Sequence, residues 1–327
     1  VFSSDTNFKN IETVLANTAG SSVNLSAQTE GFTITGGAGI DTIIGGDGVD
    51  IITGGGGDDI ITGGAGSDTF NIDAGSDKIT DLSASDILVV SSGATAAATI
   101  SANYTATNVT KNDGTVNLTI GAGGLTTDLN LASGGAGFNI IGSAGTDTIV
   151  ATGKSDTFTI ASSGQGNLDV LDGGAGADTL QLSAGSHVFA SDANFKNIET
   201  VLANTAGSSV NLSAQTEGFT ITGNDGADII IGGDGVDIIT GGAGDDIITG
   251  GAGSDTFNID AGSDTITDLS ASDILVVSSG ATAAATISAN YTASNVTKID
   301  GTVNLTIGAG GLTTDLNLAS GSAGFNI

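Results

Sequence analysis

The chain has 327 residues, among them 54 glycines and no proline, cysteine, methionine or tryptophan, and its 36 acidic and 6 basic residues give a formal net charge of −30. Without cysteine there are no disulfides and no thiolate metal sites; the charge argues against nucleic acid and anionic membranes as partners and for a cation. No apolar run approaches the roughly 18 residues of a membrane span, so membrane insertion is not expected.

Hydrophobic residues still make up 39%, too many for a disordered acidic tail. Val, Ile, Leu and Thr interleave with Gly, Asn, Asp and Ser, a vocabulary of strands and turns, so the fold class expected is all-β. The missing methionine and the absence of a visible signal peptide lead us to expect a piece of a longer or processed chain.

Residues 1–35 carry Leu25 and Ile34 at nine-residue spacing ahead of Ile43, so a coil of the kind described next is expected to extend backwards without metal. Residues 36–71 then read GGAGIDTII, GGDGVDIIT, GGGGDDIIT and GGAGSDTFN, four phrases of the form G-G-x-G-x-D-x-U-x with U a large apolar residue. The glycines fade in residues 72–80 (IDAGSDKIT) and 81–89 (DLSASDILV), but the register holds. Asp41, Asp50, Asp59, Asp68, Asp77 and Asp86 all stand sixth.

Residues 91–132 alternate apolar and polar side chains. We expect a metal-free β-sandwich-like or β-helical part there, with a hairpin turn at Asp113–Gly114 and Asn112 in an exposed turn. Residues 141–187 link two long copies. They hold the degraded nonads GSAGTDTIV and ATGKSDTFT, with Asp147 and Asp156 sixth, and a good one, GGAGADTLQ, with Asp178. Asp178 is four residues out of register with Asp156, so a loop is expected around residues 162–172.

Residues 188–327 repeat residues 1–140 at an offset of 187, differing at eleven positions. The second ladder is Asp228, Asp237, Asp246, Asp255, Asp264 and Asp273, with Asn224 in place of the second glycine of its first nonad. The organisation expected is therefore copy 1 over 1–140 (nonads 36–89, β segment 91–132), the link 141–187, and copy 2 over 188–327 (nonads 223–276, β segment 278–319). A parent with further copies is also expected.

Nine residues are two and a half helical turns, which would throw successive aspartates to opposite faces. Strand alternation fits x-U-x, with U pointing inward, and the glycines supply the turn. Two nonads then make one coil of 18 residues, and coils stack at roughly 4.7–4.9 Å. The inward residues would be Ile43, Ile52, Ile61, Phe70, Ile79 and Leu88, with Ile230, Ile239, Ile248, Phe257, Ile266 and Leu275 in the copy. Carboxylates stacked so closely raise one another's pKa; a hard divalent cation removes that cost, and calcium takes six to eight oxygens, backbone carbonyls included. The candidate ligands are the fifteen sixth-place aspartates named above, and folding is expected to be coupled to binding.

These nonads resemble the RTX family of calcium-binding β-roll repeats, whose phrase is G-G-x-G-x-D-x-U-x. The resemblance implies a parallel β-roll or β-helix solenoid with several Ca²⁺ ions between its turns, held by the sixth-place aspartates and turn carbonyls. The wording between the nonads also resembles bacterial surface-layer proteins and large secreted adhesins. It implies an extracellular or bacterial cell-surface location, and a homo-oligomer or self-assembling array as partner.

No enzyme is expected. The single histidine, His187, reads as a surface or loop residue, and Asp58–Asp59 and Asp245–Asp246 read as variable turn positions rather than acid–base pairs. The phosphate-loop phrase is absent. Asn103, Asn108 and Asn117 begin glycosylation sequons by chance. The leading reading is a calcium-dependent structural module of a surface layer, filament or adhesin. The alternatives are a calcium-triggered secretion and folding module of an enzyme or toxin, and a sugar- or ice-binding surface using rows such as Thr53 and Thr62, for which a cell-surface glycan would be the partner.

Overall fold

Six-residue glycine turns followed by three-residue strands leave the backbone only one way to pair its amides: with the coil below and the coil above. The computed structural model describes residues 9–16, 20–160, 169–203, 207–270 and 272–327. The chain divides into two compact units, residues 1–159 with 169–178, and residues 160–168 with 179–327.

In the first unit Thr42–Ile44 lies parallel between Ser22–Asn24 and Ile60–Thr62. Ile51–Thr53 lies in the same way between Thr33–Thr35 and Thr69–Ile72. Ile43 faces Ile61 and Ile52 faces Phe70, eighteen residues on, so alternate nonads stack as the spacing predicts. Past the nonads the coil lengthens: Ala98 pairs with Leu118 twenty residues on, and Leu118 with Ile140 after twenty-two. A third parallel row, Tyr104–Thr105, Thr126–Asp128, Thr148–Val150 and Val170–Asp172, accommodates the extra length.

The second unit repeats the plan. Ser209–Asn211, Ile229–Ile231, Ile247–Thr249, Ser263–Leu269 and Thr282–Ile287 pair in parallel on one side. Thr200–Ala203, Thr220–Asp225, Ile238–Ala243, Thr256–Ile259 and Ile274–Val277 do so on another. Each unit is a parallel β-solenoid. Among the described residues there is no α-helix, only one turn of 3₁₀ helix at Asp192–Asn194.

All twelve expected inward residues, from Ile43 to Leu275, are buried. At roughly 1.5–3 kcal/mol for each large apolar side chain, this narrow core works with a continuous backbone ladder.

Of the two alternatives for residues 91–132 the β-helical one holds: Thr95–Ile100 and Thr115–Ile120 continue the solenoid in parallel. Four expectations are corrected. Asp113–Gly114 is not a hairpin turn, because Lys111–Asn112 pairs with Ile87–Val90 while Thr115–Ile120 pairs with Thr95–Ile100; the turn is a corner between two sheets. Asn112 is fully buried, donating through Nδ2 to the Gly137 carbonyl at 2.6 Å and accepting the Gly114 N–H at 3.1 Å. His187 is also fully buried, in the strand Ser186–Val188, beside Val210 of the next coil. Ile34 does stack under Ile52, but Val23, not Leu25, stands under Ile43; Leu25 is buried in the turn that follows. The loop expected around residues 162–172 falls partly outside the described residues, and its end, Val170–Asp172, is a strand.

Candidate metal centre

Strand alternation places the sixth residue of a nonad on the same side as the eighth, so the aspartates lie beneath the turns rather than on the surface. All fifteen are buried, none more than 3% exposed. Their carboxylates are held by backbone from the neighbouring coil. The Asp41 N–H donates to Asp59 Oδ1 at 2.8 Å, and the Asp59 N–H to Asp77 Oδ1 at 3.0 Å. Asp50 donates to Asp68, and Asp68 to Asp86, each at 2.9 Å, on the alternate row. The second unit repeats this from Asp228 through Asp246 to Asp264, and from Asp237 through Asp255 to Asp273.

The link carries the same motif over a longer coil. Asp156 donates to Asp178 Oδ1 at 2.7 Å across twenty-two residues, the four-residue shift seen in the sequence. Asp147 donates in the same way to Asp169 Oδ1 at 2.8 Å. Sequence reasoning missed Asp169, which is 4% exposed. Its signal was present in Asp169-Val-Leu171, the D-x-U end of a nonad without its glycines.

The second carboxylate oxygens divide the ladder. Asp41 and Asp50 accept the N–H of Gly37 and Gly46 at 2.6 and 2.9 Å. Asp86 accepts from the N–H and hydroxyl of Ser83, Asp147 from those of Ser143, and Asp156 from those of Thr152. Asp273 accepts the Ser270 N–H. In these nonads a hydroxyl residue supplies what the turn otherwise lacks. By contrast, Oδ2 of Asp59, Asp77, Asp228, Asp246 and Asp264 is buried with no hydrogen-bond partner.

Glycine makes room for these oxygens. A Cβ on Gly54 would sit 2.4 Å from Asp59 Oδ2 and 3.1 Å from Asp77 Oδ2, so two stacked carboxylates converge on one Cα. Gly55, at φ +98°, brings its Cα against the Gly37 carbonyl of the coil below, a conformation and a contact that only glycine tolerates.

Burial disfavours the ionised carboxylate, and backbone N–H groups only partly compensate. Asp68 and Asp264 are pushed up to about 7 by burial, with neighbouring carboxylates adding to the rise. Asp77, Asp169 and Asp255 reach about 6 for the same reasons. Asp50, Asp59, Asp86, Asp156, Asp228, Asp237, Asp246 and Asp273 are raised as well, burial again leading.

Comparison with known families matches HemolysinCabind, the RTX calcium-binding nonapeptide repeat (4 copies), at residues 35–70, 44–79, 141–159, 163–186, 222–257 and 231–266. The chain carries RTX calcium-binding nonapeptide repeats. No curated protein matches it. The RTX matches fall on the turns whose carboxylates stack here, and the 163–186 match includes both Asp169 and Asp178.

The RTX donor set fits calcium. The side-chain donors at these turns are oxygens, chiefly of carboxylates and hydroxyls, and a hard ion prefers oxygen. The partnerless buried Oδ2 atoms of Asp59, Asp77, Asp228 and Asp246 sit against the turn glycines Gly54, Gly223 and Gly241. Among the described residues no three carboxylate, imidazole or thiol side chains form a ready-made metal cluster, so a bound ion would need backbone oxygens as well as carboxylates. The residues that would hold the ion are those with an unanswered oxygen: Asp59, Asp77, Asp228, Asp246 and Asp264.

Proposed function

We propose that the chain is a calcium-dependent structural module of an extracellular bacterial surface layer, filament or adhesin, without catalytic activity of its own. RTX repeats are typical of secreted bacterial proteins, and the reading extends that to an assembly role. The observation that carries it is the set of buried carboxylates with unanswered Oδ2 atoms, repeated every eighteen residues along the solenoid. A bound divalent cation supplies the positive charge that this row lacks. Extracellular calcium modules bind at about 10⁻⁴–10⁻³ M, so such a chain stays loose where calcium is scarce and closes outside the cell.

Support for association comes from the outer faces. Ile51, Ile60, Ile229, Ile238 and Ile247 each expose about 44–45% of their surface on parallel sheets, an arrangement suited to lateral packing against another copy. The test is electron microscopy of the protein with calcium and after chelation. Ordered sheets or fibres that dissolve in chelator support the reading. A soluble monomer in saturating calcium, attached to a catalytic domain, would instead favour a calcium-triggered folding module of a secreted enzyme.

A further inference from the structure

Four strands of the second unit, Ser209–Asn211, Ile229–Ile231, Ile247–Thr249 and Ser263–Leu269, stack the inward side chains Val210, Ile230, Ile248 and Ile266 in one column. The strand Ser186–Val188 heads that column with His187, which pairs with Val210. All five side chains are fully buried. Four are aliphatic and need only burial; the fifth is the chain's single histidine, and it can ionise.

The tautomer of His187 follows from its one hydrogen bond. Nε2 lies 3.0 Å from the Ser183 carbonyl oxygen, which can only accept, so Nε2 carries the proton. Nδ1 is then a bare acceptor, buried with no partner among the described residues. A proton added at Nδ1 would put a full charge, and an N–H with nothing to receive it, at the head of an apolar column. The strand that holds the ring is three residues long and stands at the end of its sheet. Beyond its ladder to Ser209–Asn211 it is flanked by two bonds, from the Ser209 N–H to the Gly185 carbonyl at 2.7 Å and from the Phe189 N–H to the Asn211 carbonyl at 3.0 Å. A strand with so few bonds is drawn from the low end of local stability.

We propose that His187 is an acid-sensitive latch: protonation at Nδ1 releases the strand Ser186–Val188 from Ser209–Asn211. The latch does not depend on the calcium reading. Ser209–Asn211 carries no titratable group. Lys196, Glu199 and Glu217 are exposed, and Asp192 accepts the Thr216 N–H. Asp178 and Asp228, the buried sixth-place carboxylates before and after His187 in the chain, accept the N–H of Asp156 and of Ser208. None of these charges shifts the imidazole: burial holds it below the usual 6.5, and the Ser183 carbonyl alone opposes that. A depressed histidine contributes stability that is fully present above pH 6.5 and is lost as pH falls towards its folded value. That sign is opposite to the sign for the buried carboxylates, so the latch shows at its own strand and not in the chain-wide trend.

One histidine gives one signal in ¹⁵N-histidine NMR of the full chain with calcium. The ring is expected as the neutral Nε2–H tautomer at pH 7.5. Hydrogen-exchange protection of the Ser209 and Phe189 amides, corrected for the intrinsic rate, should fall about tenfold between pH 7.5 and 5. The ceiling is about thirtyfold, the ratio of protonated to neutral imidazole at pH 5 for a pKa of 6.5. The Ile247 amide, bonded to the Asp228 carbonyl deeper in the same sheet, should keep its protection. His187→Gln retains a donor for the Ser183 carbonyl and cannot take the proton, so its Ser209 and Phe189 amides should stay protected at pH 5; His187→Val, matched to Val210, makes the same comparison where the glutamine variant does not fold. An equal loss in the variant that folds overturns the latch. Where neither folds, the unsubstituted chain decides. Loss at Ser209 and Phe189 that tracks ring protonation supports the latch. Unchanged protection at pH 5, or loss at Ile247 together with the other two, overturns it.

Discussion

The backbone N–H of Asp41 donates to the carboxylate of Asp59 at 2.8 Å, although eighteen residues separate them. One oxygen of Asp59 thus fastens two coils, while the other is buried without a partner. The two oxygens predict opposite effects for Asp59→Asn. In chelator, removing a buried charge should raise the melting temperature or leave it unchanged, because the amide oxygen can still accept from Asp41. In saturating calcium the same change removes a ligand and should cost about 1–3 kcal/mol. Thermal melts in both conditions read the sign; destabilisation in chelator as large as in calcium would show that Asp59 only fastens coils.

The raised carboxyls set an unusual pH dependence for the metal-free chain. Asp68 and Asp264 at about 7, and Asp77, Asp169 and Asp255 at about 6, are all above the unfolded value of 3.8. Between about pH 4 and 7 the folded chain therefore binds more protons than the unfolded one, and its stability falls as pH rises. The contribution is fully present below pH 3.8 and is lost as pH rises through 6 to 7. In chelator the strand signal by circular dichroism should strengthen from pH 8 to pH 5. With calcium the ion competes with these protons, so acidification should weaken binding. A chelated chain that loses strand signal between pH 8 and 5 would contradict the buried carboxylates.

The ladder and its core were legible because eighteen residues close one coil: once the period is fixed, the sixth and eighth places follow for Asp41 through Leu88 and again for Asp228 through Leu275. Where the coil lengthens to twenty or twenty-two residues, spacing no longer fixes which side chain turns inward. Asn112 and His187 were therefore read as exposed. Asp113–Gly114 carries a tight-turn signal that is the same for a hairpin as for a corner between parallel sheets; only the pairing of Thr115–Ile120 with Thr95–Ile100 separates them. The division of the carboxylates by Ser83, Ser143 and Thr152 was invisible for a similar reason. It depends on hydroxyl rotamers and amide directions, not on residue spacing.

Two glycines separate the need for space from the need for a flexible backbone. A Cβ on Gly54 would stand 2.4 Å from Asp59 Oδ2 and 3.1 Å from Asp77 Oδ2, both on buried side chains that cannot swing into water. Gly54→Ala should destabilise the calcium-bound chain by about 1–3 kcal/mol and reduce the number of calcium ions taken up, counted by equilibrium dialysis. Gly153 has nothing within 4 Å of its Cβ position, and Gly153→Ala should stay within about 0.5 kcal/mol. Equal melting temperatures for the two variants would mean the cradle at Gly54 relaxes freely.

Asn224 occupies the second place of its nonad, where the first unit has Gly37, and adopts φ 147°, a region that favours glycine. In the first unit the Gly37 N–H donates to Asp41 Oδ2 at 2.6 Å; in the second, Asp228 Oδ2 is buried with no partner. Strained backbone of this kind costs of order 1–3 kcal/mol. Asn224→Gly relieves the strain and frees the amide to turn towards Asp228 as Gly37 does towards Asp41. The substitution should stabilise the chain by about 1 kcal/mol in chelator, partly offset by the greater freedom glycine gives the unfolded state. With the Asp228 oxygen answered by an amide, the gain should shrink in saturating calcium. Melting curves of Asn224→Gly with and without calcium test both halves, and a gain that grows with calcium would show that the Asn224 backbone, not the unanswered oxygen, limits binding at this turn.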